Sequence, residues 1–509
     1  MSIEANRSDL VIGVIGAGTM GRGIAQVAAT GGMRVLLFDT RTEAMAEAQS
    51  FIAGMLRRSV EKKRMASEDA EAAIARLETP DTMEALAACD IVVEAVLEEI
   101  DVKRAVFAQL EDIVRDDAIL TSNTSSLSIT EIAAKCRIPE RVAGFHFFNP
   151  VPLMALVEII PGLRTRPDVV DTLMAVGKQM GRDPVKATDT PGFLVNHAGR
   201  AFVPEALNLV QEQIAGHHDI DRIMRKEAGF RMGPFELLDM VGADIALAVM
   251  ESIYNQYFQE PMYRPVALLS TRVAGGLLGR KTGEGFYRYA DGKPVPPSSE
   301  PLSGDAPKSI WVSDAEPEAA RRVRDLLTSL KVKPESGERP SDDALCIVTP
   351  IGETAHATAL EHGLDPARTV AIDTMVGLER HRTLMPTIMV PTARSHGLAA
   401  LLASDGADAT ICADAPGFIA PRIIAMIVNV GCAIAAKAIA TPADIDKAVR
   451  LGLNYPKGPL EFGDALGADT ILRMLNGLHT HYGDPRYRPV PWLRERALLG
   501  LPLAESSAS

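Results

Sequence analysis

From Leu10 to about Asp189, short runs of β-branched and apolar residues alternate with longer segments of helical periodicity. This is the pattern of a parallel sheet whose strands are joined by crossover helices. The runs fall at 11–15, 34–38, 90–95, 119–122, 142–148 and 156–160. From Pro191 to about Tyr289 the β-branched runs vanish and the pattern turns helical, which predicts a second domain. Residues 291–308 are dense in Pro, Gly and Ser and predict a linker. Beyond it, apolar runs at 310–312, 344–348, 370–372 and 387–390 alternate with helical stretches such as 316–330, predicting a shorter α/β unit.

The chain then repeats itself. Asp189-Thr-Pro-Gly-Phe193 recurs as Asp414-Ala-Pro-Gly-Phe418, and Asp219-Ile-Asp…Gly233-Pro-Phe-Glu…Gly242-Ala-Asp244 recurs as Asp444-Ile-Asp…Gly458-Pro-Leu-Glu…Gly467-Ala-Asp469, both at an offset of 225 residues. A match without insertions signals a duplicated helical domain. The copy ends before it reaches anything like Gly279-Arg-Lys-Thr-Gly283. The domains expected are therefore 1–189, 190–290, the linker 291–308, 309–413, 414–501 and a tail, 502–509.

Composition narrows the classes of function. A formal charge of −13 argues against nucleic acid or anionic membrane as the main partner, since both select a basic face. The most apolar stretch, 423–436, is too short for a membrane span and reads as a buried helix. Five dispersed cysteines without ligand spacing suggest reduced thiols, no metal site and a cytoplasmic location.

Gly16-Ala-Gly18-Thr-Met-Gly21 follows an apolar strand and opens a helix. The three glycines serve a tight turn, close approach of backbone to a pyrophosphate, and packing of helix on sheet. Asp39 ends the next strand, where a carboxylate accepts hydrogen bonds from a ribose diol and repels a 2′-phosphate, so NAD is favoured over NADP. Arg41, two residues on, is the nearby group that would suit a phosphate. His146, near the end of the fifth run, has the intrinsic pKa of a general base, and Glu158 on the next run could orient its imidazole.

With Ser122-Asn-Thr-Ser125-Ser upstream and Asp-Thr-Pro-Gly-Phe downstream, the segment Gly144-Phe-His146-Phe-Phe-Asn149-Pro…Glu158 resembles the signature of the 3-hydroxyacyl-CoA dehydrogenases, in particular long bacterial members acting on 3-hydroxybutyryl-CoA or 3-hydroxyadipyl-CoA. The resemblance implies a Rossmann-type NAD-binding domain, an all-α domain like that of 6-phosphogluconate dehydrogenase, then a reduced Rossmann-like unit and a second helical copy. It implies oxidation of (3S)-3-hydroxyacyl-CoA to 3-oxoacyl-CoA, a step of β-oxidation type, with His146, Glu158, Ser125 and Asn196 as the catalytic set. It further implies that Glu98, Lys103, Ser125 and Asn149 surround the nicotinamide half of NAD and that Lys281 reaches back to the cofactor. Arg57, Arg58, Lys62, Lys63 and Arg64 form a cationic cluster where the family binds the CoA nucleotide, Lys62 foremost; read as residues alone, the run is equally a solvated helix face.

In the second α/β stretch no glycine fingerprint occurs, and aligning 370–371 with 142–143 sets Thr374 opposite His146 and the region of Met389 opposite Glu158. Pro421 replaces Asn196 in the helical copy, so one active site is expected. Shorter relatives dimerise through the helical domain, and the second copy is expected either to stand in for a partner subunit as an internal pseudo-dimer or to accompany a homodimer. Two rival readings are a related hydroxy-acid or sugar-acid dehydrogenase that does not use CoA, and a non-catalytic NAD- or CoA-binding scaffold.

Overall fold

The structure is a computed structural model, and it describes residues 7, 9–295 and 303–505. Residues 296–302 of the expected linker and 506–509 of the expected tail lie outside the described residues. The chain forms two compact units that cut across the order of the sequence: residues up to His197 join Lys437–Leu453, while Ala198–Ala436 joins the segment from Asn454 onward.

The first unit is built on eight strands: β1 (Val11–Ile15), β2 (Arg34–Phe38), β3 (Leu77–Glu78), β4 (Ile91–Glu94), β5 (Ile119–Ser122), β6 (Val142–Phe147), β7 (Leu156–Pro161) and β8 (Asp183–Lys186). Their order is β3-β2-β1-β4-β5-β6-β7-β8. Pairing is parallel except between β6 and β7, so the last two strands run against the rest. Alternate side chains of β1 feed opposite faces: Ile12 and Val14 pack with helices Thr19–Thr30, Thr42–Glu61 and Pro167–Gln179, whereas Val11 and Ile15 pack with helix Ile100–Ile113. Burial on both faces is why these strands read as unbroken apolar runs. Helix Pro442–Leu453, from the second helical copy, also belongs here; the Thr188 N–H donates to the Ile439 carbonyl at 2.9 Å and Lys447 Nζ to the Pro184 carbonyl at 3.5 Å.

The second unit holds a short hairpin, β9 (Tyr289–Ala290) with β10 (Lys293–Pro294), and a five-stranded sheet: β11 (Ile310–Val312), β12 (Leu345–Val348), β13 (Thr369–Ile372), β14 (His381–Pro386) and β15 (Asp408–Ile411). The five run in sequence order, parallel but for β13 against β14. That is the pattern of β4 to β8 without β1 to β3, the half that carries the glycine loop in the first unit. The strand expected at 387–390 lies instead at 381–386; Ile388 is 94 % exposed, because the run follows Pro386 into a turn.

The two helical copies pack together within this unit. Helix Ala420–Ala436 is buried almost throughout, beside helix Phe202–Gln211. Between them Arg422, with no exposed surface, donates to Glu205 at 2.6 Å, to Glu212 at 2.8 Å and to the Tyr487 hydroxyl at 2.6 Å. Burial alone would raise the Glu205 carboxyl, but the guanidinium beside it holds it below the ordinary range. Among the described residues no helix is long and apolar enough to cross a membrane.

Two predictions follow from these buried charges. Arg422→Met takes from buried Glu205 its nearest countercharge, leaving only Arg486 at 3.6 Å, and is expected to cost about 3 kcal/mol in denaturant unfolding of this unit. Glu227, whose carboxyl accepts from Thr383 Oγ1 at 3.1 Å, is pushed well up by burial and by the facing Asp373. A carboxyl that holds its proton more tightly folded than unfolded stabilises the fold in acid, and that stabilisation is lost as pH rises through the raised value. Glu227→Gln keeps a donor toward Asp373 without needing a proton, so its melting temperature is expected to exceed that of the parent chain at about pH 8 and to lose that lead at about pH 5. Parallel pH profiles for the two chains would refute the shared-proton contact.

Candidate active site

Reversal of strand direction between β6 and β7 sets His146 directly opposite Glu158. Their side chains meet at 2.6 Å between Nδ1 and Oε2, and both are buried. The other carboxylate oxygen, Oε1, accepts the backbone N–H groups of Leu194 and Val195 at 3.1 and 2.9 Å. A carboxylate loaded with donors takes the proton of Nδ1 as a donated hydrogen bond, which leaves the lone pair of Nε2 as the acceptor. Phe148 and Phe193 flank the imidazole, with ring centroids 4.5 and 5.9 Å away. The Asp-Thr-Pro-Gly-Phe motif thus supplies a wall of the site, while its Asp189 accepts from Ser128 Oγ and from the Ile129 and Thr130 N–H groups, fixing the start of helix Ile129–Ala133.

The glycine loop fits a dinucleotide. Gly16 has φ of 99°, and a Cβ there would lie 2.6 Å from the Ala95 carbonyl oxygen. A Cβ on Gly21 would lie 1.7 Å from the Gly16 oxygen, so the first helical turn seats directly on the loop. A Cβ on Gly18 would meet nothing within 4 Å, which makes it the open side, at the N-terminus of helix Thr19–Thr30. Asp39 accepts the Ala17 N–H at 2.8 Å and the Arg41 N–H at 3.0 Å, and Arg41 Nε faces the same carboxylate at 3.6 Å. The cation that could have suited a 2′-phosphate is thereby matched by Asp39, and the donor set suits NAD.

Ser125 lies in the loop after β5, where Asn196 Nδ2 donates to its carbonyl at 3.5 Å. Glu98 organises that loop: one oxygen accepts from Thr124 Oγ1 at 2.7 Å, the Ser125 N–H at 2.8 Å, the Ser126 N–H at 3.1 Å, Ser126 Oγ at 3.0 Å and Ser125 Oγ at 3.3 Å. Lys103 is buried against the sheet. It is 1 % exposed, with Nζ 2.7 Å from Glu94 and 3.3 Å from Glu98, because its helix turns that side onto the sheet. Asn149 is exposed past the end of β6. Lys62 sits, exposed, at the C-cap of helix Thr42–Glu61, beside exposed Lys63 and Arg64, while Arg57 is engaged by Glu71 at 3.0 Å. Lys281 belongs to the second compact unit, where it pairs with Asp244 at 2.6 Å.

Strand register corrects the comparison of the two α/β units. The Asp373 N–H donates to the Thr383 carbonyl, and Thr383 stands opposite Thr410 as Glu158 stands opposite Val185. Asp373, not Thr374, therefore occupies the place of His146, and Thr383, not the region of Met389, that of Glu158. The offset of 225 carried back from Asp414 would have found Thr383. The loop after β12 puts Ile351 at the place of Ser125, and a Cβ on its Gly352 would lie 2.9 Å from the Cα of Met474, so helix Ala468–Tyr482 closes over it. Among the described residues no metal-binding cluster occurs. Sequence reading passed over Glu94 and Asn123; their signal was a carboxylate and an amide ending otherwise apolar strands.

The family model described as the NAD-binding domain of 3-hydroxyacyl-CoA dehydrogenase matches residues 11–190, and that of its C-terminal domain matches twice, at 192–289 and 417–506. The chain is 40 % identical over 492 residues to 3-hydroxyadipyl-CoA dehydrogenase of Escherichia coli, covering 96 % of this chain and 97 % of that one. It is 39 % identical over 285 residues to 3-hydroxybutyryl-CoA dehydrogenase of Bradyrhizobium diazoefficiens, covering 56 % of this chain and 97 % of the relative. A crystal structure of 3-hydroxybutyryl-CoA dehydrogenase from Escherichia coli superposes with a TM-score of 0.84 at 38 % identity, over 96 % of this chain and 98 % of that one. A Rossmann-type sheet carrying this dyad, a helical domain present twice and similarity along almost the whole length lead to one conclusion: the chain belongs to the 3-hydroxyacyl-CoA dehydrogenase family.

Proposed function

We propose that this enzyme oxidises 3-hydroxyacyl-CoA to 3-oxoacyl-CoA, with His146 as the general base. One observation carries the reading: the buried 2.6 Å contact of His146 with a carboxylate whose second oxygen is held by two backbone amides. Bound NAD supplies the hydride acceptor. His146 Nε2 takes the hydroxyl proton as the C3–H bond breaks, and the C3–O bond becomes a carbonyl. Glu158 fixes the tautomer and stabilises the imidazolium that forms. Ser125 and Asn196, brought together by the loop after β5, supply polar contacts for an oxygen that alternates between hydroxyl and carbonyl. Asp39 takes the ribose diol, and Lys62 with Lys63 and Arg64 takes the CoA phosphates. Reduced cysteines, none in a disulfide, suit a cytoplasmic enzyme.

The second helical copy serves as an internal stand-in for a partner subunit. In the first unit Thr188 donates to Ile439; in the second, Ala413 donates to Ile214, also at 2.9 Å. The two bonds are equivalent at the repeat offset of 225 with the copies exchanged, which is the reciprocity of a two-fold interface.

Four measurements test these readings. His146→Ala is expected to lower kcat for 3-hydroxybutyryl-CoA by about 10²–10⁴-fold while NAD affinity stays within about 3-fold. Glu158→Gln should lower kcat in the same range and weaken the alkaline plateau of the pH–rate profile, since the imidazolium loses its countercharge. A reduction of NAD by free 3-hydroxybutyrate as efficient as by its CoA ester would sink the acyl-CoA assignment. Light scattering of the full chain is expected to give one mass of 54.6 kDa; a stable dimer at micromolar concentration would overturn the internal pairing.

A further inference from the structure

The cationic run at the end of helix Thr42–Glu61 has a neighbour that the mechanism above leaves unused. Arg22, one turn after Gly18 in helix Thr19–Thr30, sets its guanidinium over the ring of Phe51, 3.9 Å from the ring centre. Phe51 is itself 43 % exposed. Resting on the functional reading above, we propose that Arg22, held in place by Phe51, is a substrate-binding residue that takes the diphosphate of coenzyme A.

Other arginines of this sheet and its helices are matched by acids: Arg34 by Glu78 at 2.7 Å, Arg57 by Glu71 at 3.0 Å and Arg41 by Asp39 at 3.6 Å. Among the described residues the Arg22 guanidinium meets a ring and no carboxylate. A guanidinium over an aromatic face keeps its N–H donors free in its own plane, the fork that suits two phosphate oxygens. Phe51 thus orients the group without consuming a donor.

Place in the fold assigns the phosphate. Phe51, Met55, Arg58 and Lys62 follow one another at four, three and four residues, so they share one stripe of their helix, beside the buried Ile52 and Leu56. Arg58 and Lys62 are exposed, and their Cα–Cβ bonds tilt back toward Phe51. The stripe from Phe51 to Lys62 spans about 16 Å at a helical rise of 1.5 Å per residue. Arg22 stands at its active-site end: a Cβ on the next residue, Gly23, would lie 2.8 Å from Val151, in the loop that follows the catalytic strand β6. Lys62, Lys63 and Arg64 stand at the other end. An acyl-CoA that brings its third carbon to His146 has its diphosphate between that carbon and the 3′-phosphate of its ribose. The cation nearer His146 therefore meets the diphosphate, and the run at 62–64 meets the 3′-phosphate.

Thioesters that lose one phosphate group at a time test this in the full chain at saturating NAD. 3-Hydroxybutyryl-CoA carries the diphosphate and the 3′-phosphate, its 3′-dephospho form keeps the diphosphate, and the pantetheine thioester has neither. Arg22→Met is expected to raise KM for the first two by about ten- to hundredfold, with kcat and the calorimetric Kd for NAD each within about 3-fold of the parent. KM for the pantetheine thioester should stay unchanged. Phe51→Leu should reproduce the pattern more weakly, at about 3-fold. An NAD Kd weakened about tenfold or more would make Arg22 a cofactor contact and overturn the proposal. An equal rise in KM for the pantetheine thioester would do so by marking a structural effect, and a rise confined to the 3′-phosphorylated ester by placing Arg22 on the other phosphate. Unchanged KM for all three would leave a surface stack alone and refute it too. A parent chain that reduces NAD as well with free 3-hydroxybutyrate fails the functional reading, which is a separate result.

Discussion

Everything at the site depends on the contact between His146 and Glu158, and that contact exists because β7 runs against β6. In a sheet parallel throughout, residues twelve positions apart could not face each other; a crossover would separate them. The hairpin makes them cross-strand neighbours, close enough for a direct hydrogen bond. Its other end is set by chain that follows β8, since Leu194 and Val195 hold the second oxygen of Glu158. A charged group with no exposed surface is tolerated because each of its oxygens has a donor.

The second α/β unit shows what becomes of the same hairpin without the cofactor half. It keeps the equivalents of β4 to β8 and their register but lacks β1 to β3, so no glycine loop is present to bind a dinucleotide. With that role gone, Asp373 and Thr383 stand where the dyad stood, and Glu227 from helical copy one packs against them. At the matching place in the second copy stands Gly452, where an added Cβ would lie 3.0 Å from Leu156 and 3.1 Å from Val195. A glutamate there would collide with residues flanking the support of Glu158. The duplicated helix is thus matched to each sheet: polar where the site is lost, reduced to a hydrogen where it is kept.

The fold was legible where physics is local. Apolar runs marked the six central strands of the first sheet, and the glycine spacing, the His146 segment and the repeat offset each pointed to their structure. The edge strands β3 and β8 were missed because Leu77–Glu78 is too short for a pattern and β8 has exposed ends at Asp183 and Lys186. The misplaced strand at 387–390 shows the limit of hydropathy: His381, Arg382 and Thr383 are polar yet buried, bonded to Thr410, Asp405 and Glu227, so a true strand looked like a loop. The burial of Lys103 was hidden for a similar reason. A cation on a helix reads as solvated until its partners are known, and Glu94 and Glu98 lie on a different element.

The division into compact units gives the second half of the chain a physical role at the site. Helix Pro442–Leu453 lies on β7 and β8, so the strand that carries Glu158 is backed by the second helical copy rather than by solvent. A β-strand covered on that face can be apolar and still hold one buried carboxylate in a fixed place, whereas an uncovered one would let water compete for Glu158 and loosen the imidazole. The second copy is in turn fixed to the first through Arg422, whose charge is neutralised by Glu205 and Glu212. The contacts of Ile439, Lys447 and Gly452 with Thr188, Pro184 and Leu156 thus place part of the second helical copy against the edge of the sheet that carries Glu158.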